Sequence, residues 1–201
     1  MNRLLEEQLR QALAVLAENS AGHLPRPVRY WVQDAWESDP AARRKRVELA
    51  RLCALARIGR WEAERPHDRR PREMIELAAE VMAERVGWKE AGLTAGVAFN
   101  RIVELLNVEI TEPAMNAGLA AVMTVDAACG PARDPTDNNE NDDNELALDD
   151  LDSAYLASMV DAPSLPEADR PEINVAEHVE PRRAFWRWYL DEAVPSADRI
   201  D

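Results

Sequence analysis

The stretch from Thr111 to Gly130 limits the fold more than any other. Thr111-Glu112-Pro113 opens a helix, with a capping hydroxyl, an acidic residue and a proline in the first turn. Ala114, Ala117, Gly118, Ala120 and Ala121 then interleave with Met115, Leu119, Val122 and Met123 until Gly130 stops the run. Side chains so small and so uniformly apolar suit a helix packed on several sides, which is expected in the middle of a bundle. Such a helix needs others around it, and the rest of the chain supplies them.

Leu5, Leu9, Ala12, Leu13 and Leu16 share a stripe from about Leu4 to Glu18, with Gly22 available for a left-handed turn. A second helix starting at Pro27 aligns Val28, Trp31, Val32, Ala35 and Trp36 on a face expected to be core. Ser38-Asp39-Pro40 signals a third helix, running to about Glu64, with Val47, Ala50, Leu52, Cys53, Leu55, Ala56 and Ile58 on a broad apolar face. Arg43-Arg44-Lys45-Arg46 lies near its start; four consecutive cations wrap every side of a helix and read as a solvated helix end. After Gly87, Leu93, Val97, Ile102, Val103, Leu105 and Leu106 mark a further apolar face, and Gly92 with Gly96 would admit another backbone closely. A short helix is expected from Leu146, using Leu148, Leu151, Tyr155, Leu156 and Met159, and a last one is best defined after Pro181. No alternating β-branched run and no internal repeat interrupts this pattern. The expectation is an all-α, single-domain bundle of about eight helices.

Between Trp61 and Glu80 the chain turns and restarts. Asp68 can cap the new helix, Pro71 suits its first turn, and Met74, Ile75, Ala78, Val81 and Met82 repeat at core spacing. Glu73 and Glu76 complement the positive end of the helix dipole. Arg69, Arg70 and Arg72 are not explained by these local rules. They suit either an internal salt-bridge turn that locks adjacent helices or a site for an anionic ligand, since arginine pairs carboxylates and phosphates bidentately.

Charge is distributed unevenly. The 201 residues carry a net −14, yet residues 1–105 hold 18 Lys/Arg against 16 Asp/Glu, and residues 106–201 hold 6 against 22. Such polarity bears on partners and association rates. It disfavours nucleic acid as a partner and suits a basic protein surface. The acidic loop 131–147 is expected to be solvated and either mobile or disordered, and a proline-bearing connector spans 162–171. Asp137, Glu140, Asp142, Asp143, Glu145, Asp149 and Asp150 are the candidate partner contacts, with Trp188 as a candidate interface anchor.

Chemistry is otherwise sparse. His23, His67 and His178 lack ligand neighbours at helical spacing, Cys53 and Cys129 read as buried thiols, and no phosphate loop, zinc motif or nucleophile elbow occurs. Asp134, Thr136, Asn138, Asp142 and Glu145 occupy loop positions 1, 3, 5, 9 and 12 of a calcium-loop template. Asn139 stands where that template needs glycine and Asn141 where it needs an aliphatic residue, so no metal and no cofactor is expected. No window approaches the run of about 18 apolar residues of a membrane span. Glu6 and Glu7 interrupt any secretory-signal pattern, which points to the cytoplasm.

Two stretches resemble a family of bacterial immunity proteins from polymorphic toxin systems. One is Trp61 to Ala79, an aromatic, a turn and then Asp68-x-Arg70-Pro71-Arg72-x-x-Ile75-Glu76-x-Ala78. The other is the tail Phe185-Trp186-x-Trp188-Tyr189-Leu190-x-x-Ala193-Val194-Pro195. The acidic loop is a departure from the family texture. The resemblance implies an all-helical, cytosolic, non-enzymatic protein that binds and neutralises a cognate toxin, with contact residues that vary with the toxin. An adaptor or regulatory bundle in another defence or signalling assembly, and an anionic-ligand binder using Arg70 and Arg72, are the alternatives.

Overall fold

In the computed structural model the described residues are 3–106, 108–130, 152–161 and 175–200, the side chains of 175–178 excepted. They form α1 (Arg3–Glu18), α2 (Arg26–Asp34), α3 (Ala42–Glu64), α4 (Arg70–Met82), α5 (Trp88–Glu104), α6 (Glu112–Cys129), α7 (Ser153–Ser158), α8 (Val175–Trp188), a π-helical turn (Tyr189–Ala193) and α9 (Val194–Asp198). The fold is all-α. Among the described residues the only β-type pairing is an isolated bridge between Leu106 and Ile110.

The small-residue helix is central. α3, α4, α5 and α7 all pack on α6, and every residue from Ala114 to Val125 is buried. Thr111 caps it, its Oγ accepting from the Ala114 amide at 3.5 Å, and Glu64 at the end of α3 accepts both the Thr111 amide (2.9 Å) and hydroxyl (2.7 Å). Gly118 is required for close approach rather than for a turn. A Cβ there would lie 2.9 Å from the Trp61 ring and 3.3 Å from Ile102. Trp61 itself is fully buried, and its indole N–H donates to the Asp68 carbonyl at 3.0 Å. The aromatic of α3 therefore joins α6 to the turn that opens α4.

The C-terminal stretch continues through Pro181, which lies inside α8 rather than before it. Phe185, Trp186, Tyr189 and Leu190 are buried as a core-closing tail. The π turn precedes Pro195, which has no N–H to donate and whose ring would crowd a regular preceding turn. The Val194 amide instead donates five residues back, to Tyr189. Gly22 adopts φ +64°, and a Cβ there would meet the Val179 carbonyl at 2.5 Å, so both conformation and space require glycine.

Several expected faces differ. Trp36 is fully buried, but it lies in the turn beyond the end of α2 at Asp34, whereas Trp31 within the helix is 45 % exposed and turns away from the buried Val28 and Val32. On α5 the buried face is Ala91, Ala95, Ala98 and Ile102, whereas Leu93 and Val97 are 76 % and 64 % exposed. Alanines let α5 sit closely on the small-residue helix α6, and the larger side chains turn outward. Among the described residues Gly92 and Gly96 have no neighbouring backbone close by. Ala50, Leu52 and Leu55 are only half-buried and Ala56 is exposed; Leu49, Ala54 and Trp61 complete the α3 core face instead.

Candidate functional site

The Arg-rich turn is held together from within. Asp68 precedes the cap position and accepts the Arg70 amide at 3.1 Å, while Arg69 occupies the cap without a side-chain bond. The same carboxylate takes Arg70 Nε at 2.9 Å and is also paired with Nη2. These bonds from Arg70 hold the Asp68 carboxyl below the usual carboxylate range, against the opposing effect of partial burial. Arg72 reaches back to α3, where Glu62 takes its Nη2 at 3.0 Å and its Nε. Arg69 lies 3.6 Å from Glu76, and Arg65 pairs with Glu109. Pro71 is buried in the first turn of α4.

An open depression of about 650 Å³ lies over this turn, lined by Glu64, Arg65, His67, Asp68, Arg70 and Glu73 among others. Each arginine in that lining has a carboxylate partner. An anion would have to displace one to bind. The geometry is that of a latch between α3 and α4.

Two charged clusters lie deeper. Arg29 on α2 is fully buried. Its Nε and Nη2 donate to Asp152 at 3.0 and 2.6 Å, its Nη1 donates to the Leu24 carbonyl at 2.8 Å, and its guanidinium lies over the rings of Tyr155 and Trp186 at 5.6 and 5.3 Å. Asp152 also caps α7, accepting the Tyr155 amide at 2.8 Å. Next to it the Ser153 hydroxyl lies between the carbonyls of Ala120 (2.7 Å) and Ala50 (3.0 Å), fastening α7 to α6 and α3. His23 packs edge-on against both aromatic rings.

Lys45 forms the second cluster. It is buried, and its ammonium donates to Asp39 at 2.7 Å and Asp198 at 3.1 Å, while the Trp36 indole donates to Asp198 at 2.9 Å. The cationic run at the start of α3 is thus not wholly solvated. Its third member ties α9 to the turn before α3, and Arg43 donates to the Ala128 carbonyl near the end of α6. Burial alone would lower the Lys45 pKa, but the two carboxylates more than offset it and the net shift is upward. The bond from Lys45 holds Asp39 below its ordinary range. Burial pushes Asp198 up, yet bonds from Lys45 and Trp36 outweigh it and the carboxyl is held low.

Neither cluster follows from sequence spacing. Arg29 and Asp152 are 123 residues apart, and Lys45 and Asp198 are 153 apart. Only Asp152 carried a local signal, an aspartate directly before the apolar turn that it caps. Together Arg43 and Arg29 hold the two described flanks of the acidic segment, one at the end of α6 and the other at Asp152.

The acidic contact candidates Asp137, Glu140, Asp142, Asp143, Glu145, Asp149 and Asp150 lie outside the described residues, as do all five calcium-template residues. Trp188 is half-buried, with its ring 5.5 Å from Phe185. Cys53 is fully buried, and desolvation pushes its thiol well up; Cys129 is half-buried and its thiol lies 3.3 Å from the Trp88 carbonyl, to which it donates. Among the described residues no group of three or more His, Cys, Asp or Glu is placed to hold a metal ion. Among them, too, no helix is long and apolar enough to cross a membrane.

Fold and charge together define an all-α domain whose described arginines and lysines are largely tied to its own carboxylates, and whose net negative charge sits in its second half. Residues 9–196 match the Immunity protein Imm5 family, and the chain belongs to it. No curated protein matches the chain significantly.

Proposed function

We propose that this chain neutralises a cognate bacterial toxin by binding it and covering its active site, in the cytoplasm of the cell that makes both. Membership of the Imm5 immunity family across residues 9–196 carries the reading. Charge supports it further. Residues 106–201 carry 22 acidic against 6 basic side chains, and complementary charge speeds encounter with a basic protein while a few desolvated contacts set the affinity. Asp137, Glu140, Asp142, Asp143, Glu145, Asp149 and Asp150 are the proposed steering and docking residues, with Trp188 as an anchor. The Asp68–Arg70–Pro71–Arg72 turn acts as the scaffold that holds α3 against α4, not as a ligand site.

The test pairs the purified chain with the toxin domain encoded beside its gene. A stoichiometric complex that suppresses the toxin's activity, with suppression relieved by excess toxin substrate, is the expected result. Binding without loss of toxin activity would instead favour an adaptor role. Absence of a complex would remove the immunity reading for that toxin.

A further inference from the structure

The outer face of α5 has no partner in the described fold. α5 packs on α6 and α4 through its alanines and Ile102, and Lys89, Leu93, Gly96, Val97, Asn100 and Glu104 are all exposed. At 3.6 residues per turn these six fall on one side of the helix. Leu93 and Val97 stand apolar in solvent, beside glycines that weaken the helix. A Cβ at Gly92 or Gly96 would meet nothing among the described residues, so the described fold requires neither glycine.

We propose that this face pairs with the same face of a second copy, the two α5 helices running antiparallel about a two-fold axis midway between Gly96 and Val97. In an isologous contact each residue meets the counterpart equally far on the other side of the axis. Lys89 then faces Glu104 of the second copy, a carboxylate that Arg101 of its own helix already pairs at 2.9 Å, and the mirror contact repeats it. Leu93 covers Asn100, and Glu90, on the flank of the face, lies two positions out of register with Arg101 of the second copy. Gly96 gives the closest approach, beside Val97. Opposite charges meet at both ends and the apolar pair lies between them. A basic toxin would find no such match, because Lys89 balances Glu104 on this face and Arg101 balances Glu90 on its flank. A 17-residue helix is about 25 Å long, and a single helix pair of that length falls short of the roughly 1,200 Å² of a standard interface, so the pairing is weak and reversible.

Sedimentation of the full chain over a concentration series tests the pairing. The expected result is a reversible monomer–dimer equilibrium that weakens with salt. Gly96→Leu fills the notch and should leave a monomer that melts no lower than the parent chain. Lys89→Glu should weaken dimerisation roughly ten-fold or more, since the contact occurs twice, and Lys89→Glu combined with Glu104→Lys should restore most of the loss. A chain that stays monomeric throughout would overturn the proposal. So would a dimer indifferent to Gly96→Leu, a charge swap that restores nothing, or a Gly96→Leu variant that remains dimeric but no longer binds toxin.

Discussion

Two arginine–aspartate pairs share the same chemistry in different surroundings. Arg70 and Asp68 are two residues apart on an open turn, with 31 % of the arginine side chain exposed. Arg29 and Asp152 are 123 residues apart, and the arginine side chain has no exposure at all. The first pair shapes a local turn and would form in almost any fold that makes that turn. The second exists only when α2, α7 and the C-terminal aromatics have assembled. A conspicuous arginine cluster in sequence therefore marks a latch, and the most deeply buried cation in the described core is an arginine that sequence does not single out.

Breaking the deep pair should have the largest effect. Arg29→Ala leaves Asp152 without its cation and opens a hole beside Tyr155 and Trp186, with an expected loss of about 3–5 kcal/mol in urea unfolding. Replacing both partners together, as Arg29→Met with Asp152→Asn, should recover a good part of that loss, because Asn can still cap α7 and neither member of the pair leaves an unpaired charge behind. If Arg29→Ala costs no more than a surface substitution, the contrast between the two pairs collapses.

Lys45 gives an intermediate case, with a pH dependence of fixed sign. Lys45→Met strands Asp198 beside Trp36 and should cost about 1–3 kcal/mol at neutral pH. Asp39 and Asp198 have depressed folded-state pKa values. Their contribution is therefore complete above the unfolded carboxylate value of about 4 and is lost as pH falls through the folded values. The Lys45→Met penalty should accordingly shrink on acidification below about pH 4. A penalty that stays constant or grows in acid would show that the variant acts through packing alone.

At the shallow end, Arg70→Ala should cost no more than about 1 kcal/mol, and Arg72→Ala less still, since both pairs are screened by solvent. Thermal melts of the two variants at low and high salt would check this. A larger loss would mean that the turn is a keystone rather than a local latch.

How much of this was legible in sequence follows the same division. The Thr111 cap, the Pro71 first turn, the tail aromatics and the buried α6 are local or nearly uniform patterns, and they appear as read. The expected α5 face departs only at Leu93 and Val97, because periodicity cannot tell that alanines suit close packing on α6 better than they do; Ile102, Val103, Leu105 and Leu106 lie in or against the core. Trp31 differs because α2 ends at Asp34, so the helical stripe that would align it with Trp36 does not continue that far. Arg29, Asp152, Lys45 and Asp198 left almost no trace, since long-range pairing is decided by tertiary placement. The acidic half was legible as charge only.

Function and scaffold are separate in the proposed reading: the acidic segment recognises the toxin and the arginine turn supports the fold. Association kinetics with the cognate toxin across a range of salt concentrations test that division most directly. Reversing the seven acidic candidates from Asp137 to Asp150 should slow association roughly ten-fold or more and flatten its salt dependence. Arg70→Ala and Arg72→Ala should leave both unchanged. Unaltered kinetics in the charge-reversed chain, or a loss of binding in folded Arg70→Ala, would contradict this division of roles.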